Sequence, residues 1–97
     1  MTEAERERLA MLAEEAGEIV QIVGKILRHG YESYHPDDPL KVTNRQHLTN
    51  ELQDIDGVVY GMVYNGDLKI NDFGLENAIA TWQRKLKWTH HQEMNYD

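Results

Sequence analysis

The sequence predicts an all-α domain. Two observations carry the prediction: three segments have apolar residues recurring at helical spacing, and no segment alternates as a strand does. Gly, Pro and Asn punctuate the gaps between those segments. Ninety-seven residues make a single domain, 1–97. Three helices in so short a chain bury little as a monomer. The expected architecture is therefore an antiparallel helical bundle completed by homodimerisation.

The first helix opens on Thr2-Glu3-Ala4-Glu5, which reads as a capping box. Leu9, Leu12, Ala13, Ala16, Ile19, Val20, Val23, Ile26 and Leu27 then keep helical register for about five turns. Gly30, after Arg28 and His29, supplies the stop. Gly17 and Gly24 each cost about 1 kcal/mol against Ala inside a helix, which is tolerable if another backbone or a ligand comes close there. Tyr31 to Val42 holds Pro36, Asp37, Asp38 and Pro39 and reads as a loop long enough to cover a site. Thr43-Asn44-Arg45-Gln46 is a second capping box. It leads a helix with Leu48, Leu52, Ile55, Val59, Met62 and Val63 on one face, stopped by Asn65-Gly66. Asn71 or Asp72 is expected to cap a third helix, striped by Leu75, Ala78, Ile79, Trp82, Leu86 and Thr89. Residues 93–97 read as a frayed tail.

Composition narrows the function classes. The absence of Cys excludes a disulfide scaffold, a thiolate zinc site and a Cys nucleophile. No apolar run approaches the roughly 18 residues that cross a bilayer. Met1 to Arg8 is charged where a signal peptide is apolar, so a cytoplasmic protein is expected. A net charge of −7 argues against nucleic acid or anionic membrane as partner. Within this acidic chain, Arg84, Lys85 and Lys87 form a local positive patch.

Two acidic motifs stand out: Glu14-Glu15-Ala16-Gly17-Glu18 and Glu51-Leu52-Gln53-Asp54. Each contains a carboxylate pair at i, i+3, on neighbouring turns of one helix face. At 100° per residue, Glu15 falls about 90° and Glu51 about 70° from the centre of its apolar stripe. Antiparallel packing through those stripes lets the pairs face one another. Four such carboxylates repel unless a hard divalent cation, Mg²⁺ or Mn²⁺, lies between them. Other patterns are weaker. Glu32-Ser33-Tyr34-His35 has the ExxH form of di-iron bundles but lies in a loop and has no second copy. His90 and His91 are adjacent, so their side chains diverge on a helix.

The paired motif resembles the signature of the MazG-like all-α nucleoside triphosphate pyrophosphohydrolases. Leu27-Arg28-His29-Gly30, Thr43-Asn44-Arg45 and the closing His90-His91-Gln92 resemble a short bacterial and phage branch of that family. The resemblance covers roughly residues 9–92. It implies Mg²⁺-dependent cleavage of a (deoxy)nucleoside triphosphate to the monophosphate and pyrophosphate, by a homodimer or dimer of dimers. By the same resemblance, Glu15, Glu18, Glu51 and Asp54 match the metal ligands, and Glu14 an acid that orients or activates water. The stretch between Glu18 and Glu51 is longer than in many members. Lys85, at the edge of the third stripe, is the preferred phosphate contact, with a solvated helix lysine as the plain alternative. Arg28, Tyr34, Asn44, Arg45 and Trp88 complete the expected substrate contacts. Two other function classes are weighed. One is a non-catalytic helical module of the same fold that binds a nucleotide or a protein. The other is a carboxylate-bridged redox-metal protein, which lacks the His ligands.

Overall fold

A computed structural model describes residues 1–69 and 74–93. Three helices follow in order: α1 (Glu3–His29), α2 (Asn44–Tyr64) and α3 (Leu75–Lys85), with a 3₁₀ turn over Leu86–Trp88. There is no strand among the described residues.

The ends of the helices follow from their capping chemistry. Thr2 Oγ1 accepts from the Glu5 amide at 3.1 Å, and Glu5 Oε1 accepts from the Thr2 amide at 2.9 Å, a complete capping box. α1 ends where Gly30 takes φ 91°, a conformation L side chains avoid. Thr43 caps α2 by accepting from the Gln46 amide at 3.1 Å. The second box stays half-formed, because the Gln46 side chain turns instead to Asn50 Oδ1. Gly74 is the N-cap of α3 and gives no side-chain bond. The expected caps Asn71 and Asp72 lie outside the described residues. α3 is also shorter than its stripe suggested. It tightens into the 3₁₀ turn at Leu86, leaving Thr89 beyond the helix, where its hydroxyl donates to the Leu86 carbonyl.

α1 and α2 pack as an antiparallel hairpin. The chain turns on Asn44, whose amide donates to Ser33 O at 2.8 Å and whose Nδ2 donates to Gly30 O at 3.2 Å. The Arg45 amide donates to Tyr31 O at 2.8 Å. Asp38 organises the loop by accepting from the Leu40 and Val42 amides, and those two bonds hold its carboxyl below the usual range. At the open end, Arg8 makes a two-pronged ion pair with Asp67, at 2.6 and 3.0 Å. Asp67 is held low by that bond. Its contribution to stability is therefore present above its unfolded value of 3.8 and lost as pH falls through the folded value. Asp67→Asn is expected to lower Tm by a few degrees at low salt and by less in concentrated salt, since the pair is partly exposed. An equal loss at both salt concentrations would rule out the ionic explanation.

The single stripe expected on α1 resolves into two faces. Leu12, Glu15, Ile19, Ile22 and Ile26 are half-buried and face α2; Ile22 was not part of the expected stripe. Leu9, Ala13, Ala16, Val20, Val23 and Leu27 face outward, with Val20 71% and Leu27 82% exposed. The outward set is spaced 4-3-4-3-4, the a/d pattern of a coiled-coil seam. At Gly24, the Arg28 guanidinium is the close neighbour: its Nη1 lies 3.4 Å from where a Cβ would stand. Nothing described comes within 4 Å of that point at Gly17.

Within one chain, the described residues form a hairpin rather than a closed bundle. Among the described residues, α3 makes its main contacts with the 3₁₀ turn that follows it, and at most marginal ones with α1 or α2. Met62 and Leu86 are the buried hydrophobic residues, and no described side chain is fully buried. The chain exposes 8229 Å², against about 5,700 Å² for a compact monomer of its mass. Its radius of gyration is 16.6 Å, against about 12.5 Å for a compact domain of its length.

Candidate metal centre

The two acidic motifs meet in the α1–α2 seam. Glu15 and Glu18 come from one helix and Glu51 from the other. One carboxylate oxygen of each lies within 4.8 Å of the other two. All three residues are half-buried, so the trio sits in the seam rather than at its outer edge. Crowding is tolerated because each carboxylate is delivered by a helix that its apolar neighbours already hold: Leu12, Ile19 and Ile22 on α1, Leu48 and Ile55 on α2.

The chemistry left over is that of a cation site. Glu15 Oε2 and Glu51 Oε2 are shut off from solvent and have no hydrogen-bond partner. A buried carboxylate oxygen without a donor is costly. Without a cation, crowding by Glu18, then loss of solvent and the nearness of Glu15, push the pKa of Glu51 up from 4.5 to about 7, so that below that pH a proton is shared among the three. Three hard oxygen donors from two rigid helices, two of them orphaned, suit a Mg²⁺-class ion.

The sign of the pH dependence follows. Because the folded pKa of Glu51 is raised, the protonated cluster stabilises the metal-free fold fully below about 4.5, and that contribution is lost as pH rises through about 7. In the presence of a chelator, Tm is expected to fall across that window. Saturating Mg²⁺ should remove the fall, and Glu51→Gln should flatten it without metal. A thermal-shift series over pH, with EDTA or Mg²⁺, checks all three. A metal-free Tm that rises across the window would contradict the shared proton.

The other candidate residues are placed as follows. Asp54 is exposed and lies outside the trio. With Glu15 it lines a cavity of about 410 Å³, walled also by Arg8, Met11 and Val58. Gly57 and Gly61, four apart on α2, open that cavity, since no atom lies within 4 Å of either missing Cβ. Glu14 points to solvent. Arg28, Tyr34 and Asn44 share a second cavity, of about 370 Å³, at the loop end of the hairpin. Asn44 is 7% exposed and ties down the loop. Arg45 is engaged elsewhere: its Nε donates to Glu32 Oε1 at 2.6 Å and its guanidinium lies 4.2 Å from the centre of the Tyr31 ring. Lys85 and Trp88 are exposed at the end of α3 and line neither cavity.

Several residues at these sites escaped the sequence reading. Arg8 and Asp67 are 59 positions apart, and no local pattern connects them. His29, His35 and His47 line the loop-end cavity together but lie on three different segments. The Gly57/Gly61 pair on α2 was the one signal available in the sequence. No helix among the described residues is long and apolar enough to cross a membrane. No protein-family profile, curated protein or solved structure matches this chain.

Proposed function

We propose that this chain is a Mg²⁺-dependent nucleotide pyrophosphohydrolase that cleaves a (deoxy)nucleoside triphosphate to the monophosphate and pyrophosphate. The observation that carries the proposal is the meeting of Glu15, Glu18 and Glu51 with two orphaned carboxylate oxygens. A divalent cation held by these residues, Mg²⁺ or Mn²⁺, supplies charge neutralisation on phosphate oxygens and a more acidic bound water. Asp54, across the neighbouring cavity from α1, is the fourth acid of the set. Glu14, free in solvent beside the trio, is the acid assigned to orient the attacking water. In the reaction, water adds at the α-phosphorus, the bond to the α–β bridging oxygen breaks, and pyrophosphate leaves.

The functional unit proposed is a homodimer or dimer of dimers. Three features support it: the outward 4-3-4-3-4 stripe of α1, the loosely packed α3 with Ile79 and Trp82 partly exposed, and an area about 2,500 Å² larger than a compact monomer would show. Burying such an excess on each protomer falls in the range of obligate interfaces. Docking of α3 on a partner's hairpin is the route by which Lys85 and Trp88 join the site. A non-catalytic module of the same fold, binding a nucleotide or a protein, would instead show metal-independent partner binding with no turnover on any nucleotide.

The test is pyrophosphate release from a panel of NTPs and dNTPs with Mg²⁺, using Glu18→Gln and Asp54→Asn as controls. Metal-dependent release that both variants lose supports the proposal. Release that survives both overturns the site. No turnover on any nucleotide overturns the enzyme.

A further inference from the structure

The cavity at the loop end of the hairpin has a charge opposite to that of the protein. The chain carries a net −7. Yet Lys25, Arg28, His29, His35 and His47 converge on this one space, and among the described residues no carboxylate lines it. Three of the five histidines of the chain are there. The nearby acids have partners of their own. Asp38 accepts from the Leu40 and Val42 amides, and its carboxylate also lies near His47 and His35. Asp37 stands 3.9 Å from His35 Nδ1, which accepts from the Asp37 amide at 3.1 Å, and both side chains are exposed.

The walls are built rather than incidental. Lys25, Arg28 and His29 come from the last turns of α1, His35 from the loop and His47 from the first turns of α2. Asn44 fixes these segments to one another through its bonds to Ser33 and Gly30. The backbone amides of Asn44 and Arg45 are already used by the loop carbonyls, and that of Gln46 by Thr43. Side chains, not the helix N-terminus, must therefore bind an anion here. Ser33 and Tyr34 line the same space and add hydroxyl donors. A volume of about 370 Å³ admits a phosphate group with a ring attached.

We propose that this cavity is an oxyanion site that takes a phosphate-bearing ligand without help from a metal. The proposal stands apart from the acidic trio. By helix rise, Glu18 and Lys25 are separated by about 10 Å along α1, and Glu51 and His47 by about 6 Å along α2. It adds Lys25, His29, His35 and His47 to the residues that bear on function.

The test uses proton NMR of the histidine rings of the full chain, in EDTA and near neutral pH. Inorganic phosphate, a nucleoside 5′-monophosphate and the uncharged nucleoside are titrated separately. Both phosphates are expected to move His29, His35 and His47 with saturation, while His90 and His91 stay in place as internal controls. The nucleoside alone should move none of them. Tighter binding of the monophosphate than of phosphate makes a nucleotide the occupant, and equal binding makes free phosphate the occupant. The double variant Lys25→Gln/Arg28→Gln, with helix content checked by circular dichroism, should weaken binding at least about tenfold. Glu18→Gln should leave it unchanged. Parallel shifts of all five histidines, equal shifts with the nucleoside, or undiminished binding in the folded double variant would each overturn the proposal.

Discussion

Glu51→Gln is expected to abolish pyrophosphate release while raising the stability of the metal-free protein above neutral pH. The two effects have opposite signs because they have different physical sources. In the folded chain Glu51 is pressed against Glu15 and Glu18, which is why its pKa rises to about 7. Above that pH the three carboxylates are ionised and repel, and an uncharged amide relieves the repulsion. The same amide removes a hard anionic oxygen from the proposed ligand set. Metal affinity should fall at least about a hundredfold, more than the loss typical of a residue that only supports a ligand. kcat/KM should fall with it, and excess Mg²⁺ should restore little. Glu18→Gln should behave alike. Calorimetric Mg²⁺ titration, pyrophosphate release and Tm in EDTA read the three quantities separately. A variant that loses activity together with metal-free stability would mark Glu51 as structural and remove the metal reading.

The second large effect is expected at Val20. In the isolated chain Val20 is 71% exposed. An exposed helix position of this kind normally tolerates substitution within about 0.5 kcal/mol. Val20→Asp should instead be severe if the outward stripe of α1 is a seam between copies. It places an unpaired charge in the middle of Leu9, Ala13, Ala16, Val23 and Leu27, where a partner would pack. Light scattering should find the parent chain at twice or four times 11.3 kDa. The variant should appear at monomer mass, with loss of helix content, and should lose the concentration dependence of Tm expected of a dimeric parent. A monomeric parent whose Tm is untouched by Val20→Asp would remove the seam, and with it the homodimer.

How much of this was legible in the sequence depended on whether the cause was local. Thr2 and Glu5, Thr43 and Gly30 fix helix ends by contacts within a few residues, and each was readable. The acidic pairs were readable too, since i, i+3 spacing survives any tertiary arrangement. Which apolar face turns inward was not. Leu12 and Ile19 belong to one face and Val20 and Leu27 to another, but helical periodicity weights them equally. The merged stripe displaced its centre, so Glu15 was read at an edge when it lies in the seam. Asp54, three residues from Glu51, is turned about 60° from it around the helix. That rotation separates a half-buried carboxylate from an exposed one. The cavity histidines were invisible because the hairpin turn, not sequence proximity, assembles them.

That Met62 and Leu86 alone are buried hydrophobics among the described residues has a kinetic meaning. A chain that turns most of its apolar surface outward gains little by collapsing on itself. On the homodimer reading, its folding is a bimolecular event: encounter between chains supplies the burial that drives ordering. Refolding should then accelerate with protein concentration, and dilution should act on this molecule much as a denaturant does.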